Sequence, residues 1–212
     1  RTGYIFLGWY YDGVEVKEGD ALKSTDEHIL TALWKRMIMI SYNSEGGSMH
    51  DPMYIDPDGD LKYSELAEPT LVGHKFLGWY YGTGENSILV STGDNIHYNG
   101  DHVLTAKWKK LIAVSFDMNG ASGTGVETIY VDPDGDLKYP NLPNASGLGS
   151  IFEGKEFDGW ATSSSGETRV KSGDSLISTE DHVLYAQWKE SCITPDTLIT
   201  LADGTQVRVD SL

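Results

Sequence analysis

The residues in this 212-residue chain with the greatest capacity for chemistry are one cysteine, two aspartate clusters and six histidines. Cys192 is the single thiol, and a thiolate is a strong nucleophile near neutral pH. It needs a base, yet no histidine follows His182. The sequence DPDGD occurs at 56–60 and again at 132–136. Asp56, Asp58 and Asp60 alternate, as do Asp132, Asp134 and Asp136, and alternating oxygens can wrap a calcium ion. The glycine falls between the second and third acids, however, and no glutamate closes the loop. A Pro-Asp-Gly turn between strands accounts for the same residues, so the metal expectation is none, with these six aspartates as the calcium candidates. His28, His102 and His182 hold equivalent places in three related segments. Metal binding requires several ligands converging in one module, so these histidines read as repeat-fixed polar residues just before a strand. The runs Trp9-Tyr10-Tyr11 and Trp79-Tyr80-Tyr81 could stack on sugar rings. The third run reads Trp160-Ala161-Thr162, which favours core tryptophans beside ordinary strand residues.

No G-x-S-x-G, H-E-x-x-H or P-loop signature is present, and 1–189 carries no cysteine. The net charge is −16. That opposes nucleic-acid binding and attraction to anionic membrane surfaces, and it favours solubility. No apolar run approaches the roughly 20 residues of a spanning helix. A single cysteine excludes an intrachain disulfide. No cofactor is expected.

The elements that must position these residues are repetitive. EHILTALW (27–34), DHVLTAKW (101–108) and DHVLYAQW (181–188) align. So do GYIFLGWYY (3–11), GHKFLGWYY (73–81) and GKEFDGWAT (154–162). Together they place all six tryptophans, two per copy: Trp9 and Trp34, Trp79 and Trp108, Trp160 and Trp188. All six are assigned to the core. DPDGDLKY appears in the second and third copies only. The units are 1–35 (a truncated first repeat), 36–109, 110–189 and a tail at 190–212. A period near 75 residues is the size of a small domain, so the copies read as beads on a string.

Alternation identifies strands. Ile38, Ile40 and Tyr42 share a face, as do Ile112, Val114 and Phe116, and each run ends in a Gly-rich turn that predicts a hairpin. Leu104, Ala106 and Trp108 share a face opposite Val103, Thr105 and Lys107. Strict alternation along F-x-G-W pairs Phe76 with Gly78 and Leu77 with Trp79, although the glycine leaves room for a bulge. The stretch YSELAEPTLVG (63–73) has room for one short helical turn. The predicted class is mainly β with a short helical crossover (α+β): tandem β-grasp-like modules and a C-terminal β-hairpin.

The F-x-G-W element followed by L-[TY]-A-x-W resembles the Listeria–Bacteroides, or internalin B-type, repeat over 1–189. The resemblance implies a non-catalytic spacer or adhesion module of a secreted or wall-attached bacterial protein. Its location would be extracellular or cell-surface. A host or cell-surface protein or a glycan would be its partner, with no nucleic acid and no membrane insertion.

The tail has a different pattern. Thr197–Leu201 and Gln206–Val209 alternate around Asp203-Gly204, which predicts a hairpin. Cys192 followed by P-x-T, this hairpin and D-x-L resembles the start of Hint domains, the inteins and their relatives. The resemblance implies that the Cys192 thiol attacks the Ser191 carbonyl in an N-to-S acyl shift, with base and oxyanion groups supplied by a later part of the domain. As given, the chain is therefore expected to be catalytically silent and to be part of a longer protein, beginning inside a repeat and ending inside a second domain. Two alternatives stand beside the spacer reading: a self-splicing or self-cleaving protein acting through Cys192, and a carbohydrate- or calcium-dependent binding module.

Overall fold

The glycine of each F-x-G-W element bends a strand, which in each five-stranded sheet lies beside the central one. The computed structural model describes residues 1–123, 125–145, 152, 154–191, 198–202 and 204–208. It divides into two units, 1–110 and 111–212. In the first unit, β1 (Tyr4–Tyr11) pairs antiparallel with β2 (Val14–Val16) and with β3 (Thr31–Arg36), forming a three-stranded sheet. A five-stranded sheet follows. It comprises β4 (Ile38–Asn43), β5 (Met53–Ile55), β6 (His74–Tyr81), β7 (Ile88–Val90) and β8 (His102–Lys110), in the order β5-β4-β8-β6-β7. The central pair β4 and β8 is parallel, with Ile40 opposite His102 and Tyr42 opposite Leu104. The other pairs are antiparallel.

The second unit repeats this plan with β9 (Ile112–Asp117), β10 (Ile129–Val131), β11 (Lys155–Ala161), β12 (Arg169–Val170) and β13 (His182–Glu190). The order is β10-β9-β13-β11-β12, and β9 and β13 are the parallel pair. A separate hairpin joins β14 (Leu198–Thr200) to β15 (Gln206–Arg208) around Gly204.

Each five-stranded sheet buries one face. Ile38, Ile40, Ile55, Trp79, Val90, Leu104 and Ala106 form one core, with Tyr42, Phe76 and Trp108 packed against it. Ile112, Val114, Val131, Trp160, Val170, Leu184 and Ala186 form the other. Fully burying one such aliphatic side chain contributes about 1.5–3 kcal/mol, so alternation alone fixes which face turns inward.

Two expectations are corrected. The first is strict alternation along F-x-G-W, which gives way to the bulge that its glycine left room for. Register shifts occur at Phe6/Gly8, Phe76/Gly78 and Phe157/Gly159. Gly8, Gly78 and Gly159 have φ of 144°, 131° and 111°, values that L-residues rarely adopt. The extra residue is a β-bulge. It puts Phe76 on the same side as Trp79, with ring centroids 5.5 Å apart, rather than beside Gly78.

The second correction is the helical crossover in the second copy. Residues 63–73 form no helix there; a single 3₁₀ turn, Gly84–Asn86, lies instead between β6 and β7. Pro69 lacks an N–H and keeps the residue before it extended. The backbone polar groups of this stretch also have other partners. Tyr63 N–H donates to the Asp94 carbonyl (3.0 Å), Ser48 N–H donates to the Thr70 carbonyl (2.9 Å), and the Trp79 indole donates to the Ala67 carbonyl (2.7 Å). The corresponding stretch of the third copy runs into residues outside the described set.

Candidate functional site: the joint between repeats

The acidic turn at 56–60 receives the end of the first sheet. Lys35, at the end of β3, places its Nζ 2.6 Å from Asp56 Oδ1 and 3.2 Å from Asp58 Oδ2. The next residue, Arg36, pairs with Asp101, whose other oxygen accepts the Met39 N–H at 3.0 Å. Met37 N–H closes onto the Gly3 carbonyl at 2.9 Å, and Gly3 packs on the Tyr54 ring. Two adjacent cations at the end of one copy thus grip two acidic loops of the next.

The electrostatics follow the contacts. The hydrogen bond to Asp56 holds the Lys35 ammonium above its ordinary value. The Lys35 contact, and then the Asp58 N–H donating to Asp56 Oδ1 at 3.0 Å, hold the Asp56 carboxyl below its own. Asp101 is lowered first by the Met39 N–H and then by Arg36. These pairs are solvent-facing, so salt screens them. They tie the first sheet to the second copy, whose own fold rests on its apolar core.

The calcium candidates are placed by the same turn. Gly59 N–H donates to the Asp56 carbonyl at 3.0 Å, and Asp60 lies 3.7 Å from Lys62. In the third copy, Asp132 Oδ1 accepts the Asp134 N–H (3.1 Å) and Asp136 accepts the Lys138 N–H (3.3 Å). Among the described residues, no three His, Cys, Asp or Glu side chains are grouped to hold an ion. The basic pair recurs in sequence as Lys109-Lys110, and the acids as Asp132, Asp134 and Asp181. Asp181 accepts the Ala113 N–H at 2.8 Å, the counterpart of the Asp101–Met39 bond. The third copy ends instead in Lys189-Glu190. There Lys189 pairs across its own sheet with Glu156 (3.1 Å) and Asp158 (3.6 Å), and Glu156 first of all raises its proton affinity.

The histidines act inside each copy, and two of them lie within strands rather than before them. His102 is the first residue of β8 and is buried. Its Nδ1 donates to the Gly100 carbonyl at 2.7 Å, which leaves Nε2 to accept from the Tyr63 hydroxyl at 3.1 Å. His182 repeats this with the Glu180 carbonyl (2.8 Å) and Tyr139 (3.0 Å). This latch ties the L-K-Y segment to the central strand. The shared L-K-Y spelling was the available signal for it. Burial raises the proton affinity of Tyr63 and Tyr139.

The tryptophans divide into three groups. Trp79 and Trp160 are 1% and 2% exposed. Trp34, Trp108 and Trp188 are half-buried. Trp108 Nε1 donates to the Ser44 carbonyl and Trp188 Nε1 to the Met118 carbonyl, both at 2.9 Å. Trp9 departs from the core assignment. It is 47% exposed, because no hairpin like β4–β5 covers the first sheet. Among the sugar-stacking candidates, Tyr81 is turned onto His97 and His102, and the Tyr80 ring is capped by Lys107.

Ser191 is exposed, and its N–H donates to the Gly154 carbonyl at 2.9 Å, as Met37 does to Gly3. Cys192 lies outside the described residues.

No helix among the described residues is long and apolar enough to cross a membrane. No solved structure matches the chain. A protein of Evansella cellulosilytica named "Putative membrane protein" is 29% identical over 194 residues, covering 89% of this chain and 28% of that relative. The chain thus spans less than a third of the relative's length. The family model of the Listeria-Bacteroides repeat domain matches residues 39–107 and 113–187, more than half of the sequence, and the chain belongs to that family.

Proposed function

We propose that this chain is a non-catalytic spacer from a bacterial surface protein, in which the acidic turn at 56–60 receives the basic end of the first repeat. The Lys35 bridge to Asp56 and Asp58 is the observation that carries this reading. The relative's name and the family support a surface location. The strand order, with a central parallel pair, supports a β-grasp-like module without its helix.

Hydrogen exchange on the full chain tests the spacer joint. Replacing Lys35 and Arg36 with methionine should speed exchange in β1 and β3 several-fold while leaving β4–β8 unchanged. Millimolar calcium should not alter the melting temperature, since a ligand stabilises only a fold that binds it. Unchanged exchange in the first sheet, or a rise of several degrees with calcium, would overturn the reading.

A second reading concerns the tail. Its hairpin pairs β14 with β15 around Gly204 and joins neither five-stranded sheet. With the sequence motif, this supports the opening of a Hint domain in which Cys192 attacks the Ser191 carbonyl. The thiol adds to that carbonyl carbon, the amide C–N bond breaks, and the proton passes to the freed amine, leaving a thioester. Intact mass of a chain extended by its natural downstream sequence tests this. Dithiothreitol should release a fragment ending at Ser191, and Cys192→Ala should abolish release. Release that survives Cys192→Ala excludes the assignment.

A further inference from the structure

The loop just ahead of the repeat histidine is held alike in the first and third copies and differently in the second. In the first copy Ser24 Oγ accepts the Asp26 N–H at 3.1 Å, and in the third Ser178 Oγ accepts the Glu180 N–H at 2.9 Å. The carbonyls of Asp26 and Glu180 meet His28 Nδ1 and His182 Nδ1. The second copy keeps the carbonyl contact, Gly100 to His102 at 2.7 Å. Tyr98 stands in place of the serine, however, and Asn99-Gly100 in place of Thr-Asp and Thr-Glu. The Tyr98 ring lies against Gly100, where a Cβ would come within 2.6 Å of it. Asn99 is exposed. Among the described residues, neither the Gly100 N–H nor the Asn99 side-chain amide has a hydrogen-bond partner.

This combination has a chemical consequence. A side-chain amide carbon is an electrophile, and the nitrogen of a following glycine can reach it, because no Cβ crowds the approach and the backbone turns freely. The chain holds one other Asn-Gly step, Asn119-Gly120, and there the amide is clamped. Asn119 Nδ2 donates to the Ser164 carbonyl at 3.0 Å and to the Ala186 carbonyl at 2.9 Å. The Asn119 N–H donates to Asp117 Oδ1 at 2.8 Å. Attack at the Asn119 Cγ requires the side chain to leave both carbonyls. Asn99 has no such contacts to give up.

We propose that Asn99-Gly100 is a self-modification site, at which the second copy converts its own Asn99 to an acidic residue. The Gly100 nitrogen bonds to the Asn99 Cγ, the Cγ–Nδ2 bond breaks, and Nδ2 leaves as ammonia with the Gly100 amide proton. Water then opens the cyclic imide that remains. Opening at Cγ gives aspartate; opening at the main-chain carbonyl gives isoaspartate, which adds a carbon to the backbone. Water is the sole co-reactant. The new carboxylate lies close in sequence to Asp101, which holds the Met39 N–H and Arg36. The isoaspartate also lengthens the chain just ahead of the Gly100 carbonyl that holds His102. Conversion therefore loosens the contacts by which the second copy receives the first sheet. The chemistry at Asn99 is independent of the spacer reading; its effect on the joint rests on that reading.

The test ages the full chain in mildly alkaline buffer and follows both Asn-Gly steps by peptide mapping that separates aspartate from isoaspartate. In the folded chain Asn99 should convert roughly ten-fold faster than Asn119 or more, since Asn119 must first lose two hydrogen bonds. In concentrated urea the two should convert at similar rates, because the local sequence is the same. Tyr98→Ser restores the acceptor of the other copies and should slow conversion of Asn99 several-fold in the folded chain. Exchange of the Met39 amide should speed up as the parent ages and stay constant in Asn99→Gln. An Asn99 that remains an amide, or an Asn119 that converts as fast in the folded chain, would overturn the proposal. Conversion at Asn99 with unchanged Met39 exchange would overturn its effect on the joint while leaving the site in place.

Discussion

Tyr63 and His102 carry the most specific polar contact of the second copy. The phenol donates to a ring nitrogen that is shut away from water. Tyr63→Phe leaves that buried acceptor unmatched, which costs about 1–3 kcal/mol. Thermal melting of the variant should show the loss, and Tyr139→Phe should repeat it in the third copy. The same tyrosines set an alkaline limit. Burial raises their folded-state pKa above the unfolded value of about 10. The resulting stability is full below pH 10 and is lost as pH rises through 10 toward the folded value, so melting temperature should fall over that window in the parent and fall less in the double Phe variant. The tryptophans separate in the same assay. Trp79→Ala should cost about 3–5 kcal/mol, as large aromatic truncations in a core do, whereas Trp9→Ala should cost far less because its face is open. The shared motif marked all six tryptophans as equal; the exposure of Trp9 follows from the truncation of 1–35, which lacks the hairpin segment that covers Trp79.

The bulged strand is the element that sets core geometry. Gly78 has φ of 131°, and a Cβ there would run into the Leu89 side chain. Gly159 has φ of 111°, but its nearest neighbour is the flexible end of Arg169 at 3.8 Å. The Leu89 methyl can swing away because that side chain is half exposed, so backbone strain is the shared cost: Gly78→Ala and Gly159→Ala should each destabilise by on the order of 1–3 kcal/mol in denaturant melts, and an unchanged melt for either would contradict this account of the bulge. Much of the element level was legible in sequence. The alternation of Ile38, Ile40 and Tyr42 and of Leu104 and Ala106 marked the strands, their inner faces and the hairpin β4–β5. The parallel pairing of β4 with β8 was not legible, because it joins residues some sixty positions apart and leaves no local periodicity. The helical turn expected at 63–73 gave way to Pro69 and to cross-chain hydrogen bonds that no local propensity reports.

At the scale of the molecule, the acidic composition has a local use. DPDGD was legible as a turn, but its partner was not, since Lys35 belongs to the preceding copy and ordinary alternation places it only on a strand end. The joint it makes is ionic and solvent-facing, so it should weaken in salt and in acid. Asp56 and Asp101 have folded pKa values below their unfolded ones. Their contribution is present above the unfolded value of about 3.9 and is lost as pH falls through the folded values. The most direct measurement is ¹⁵N relaxation of the full chain at low ionic strength. The amides of 3–36 and 37–110 should report one rotational correlation time in the parent. In the Lys35→Met, Arg36→Met variant they should report two, with the chemical shifts inside β4–β8 unchanged. A single correlation time in both proteins would contradict the claim that these acidic loops join one repeat to the next.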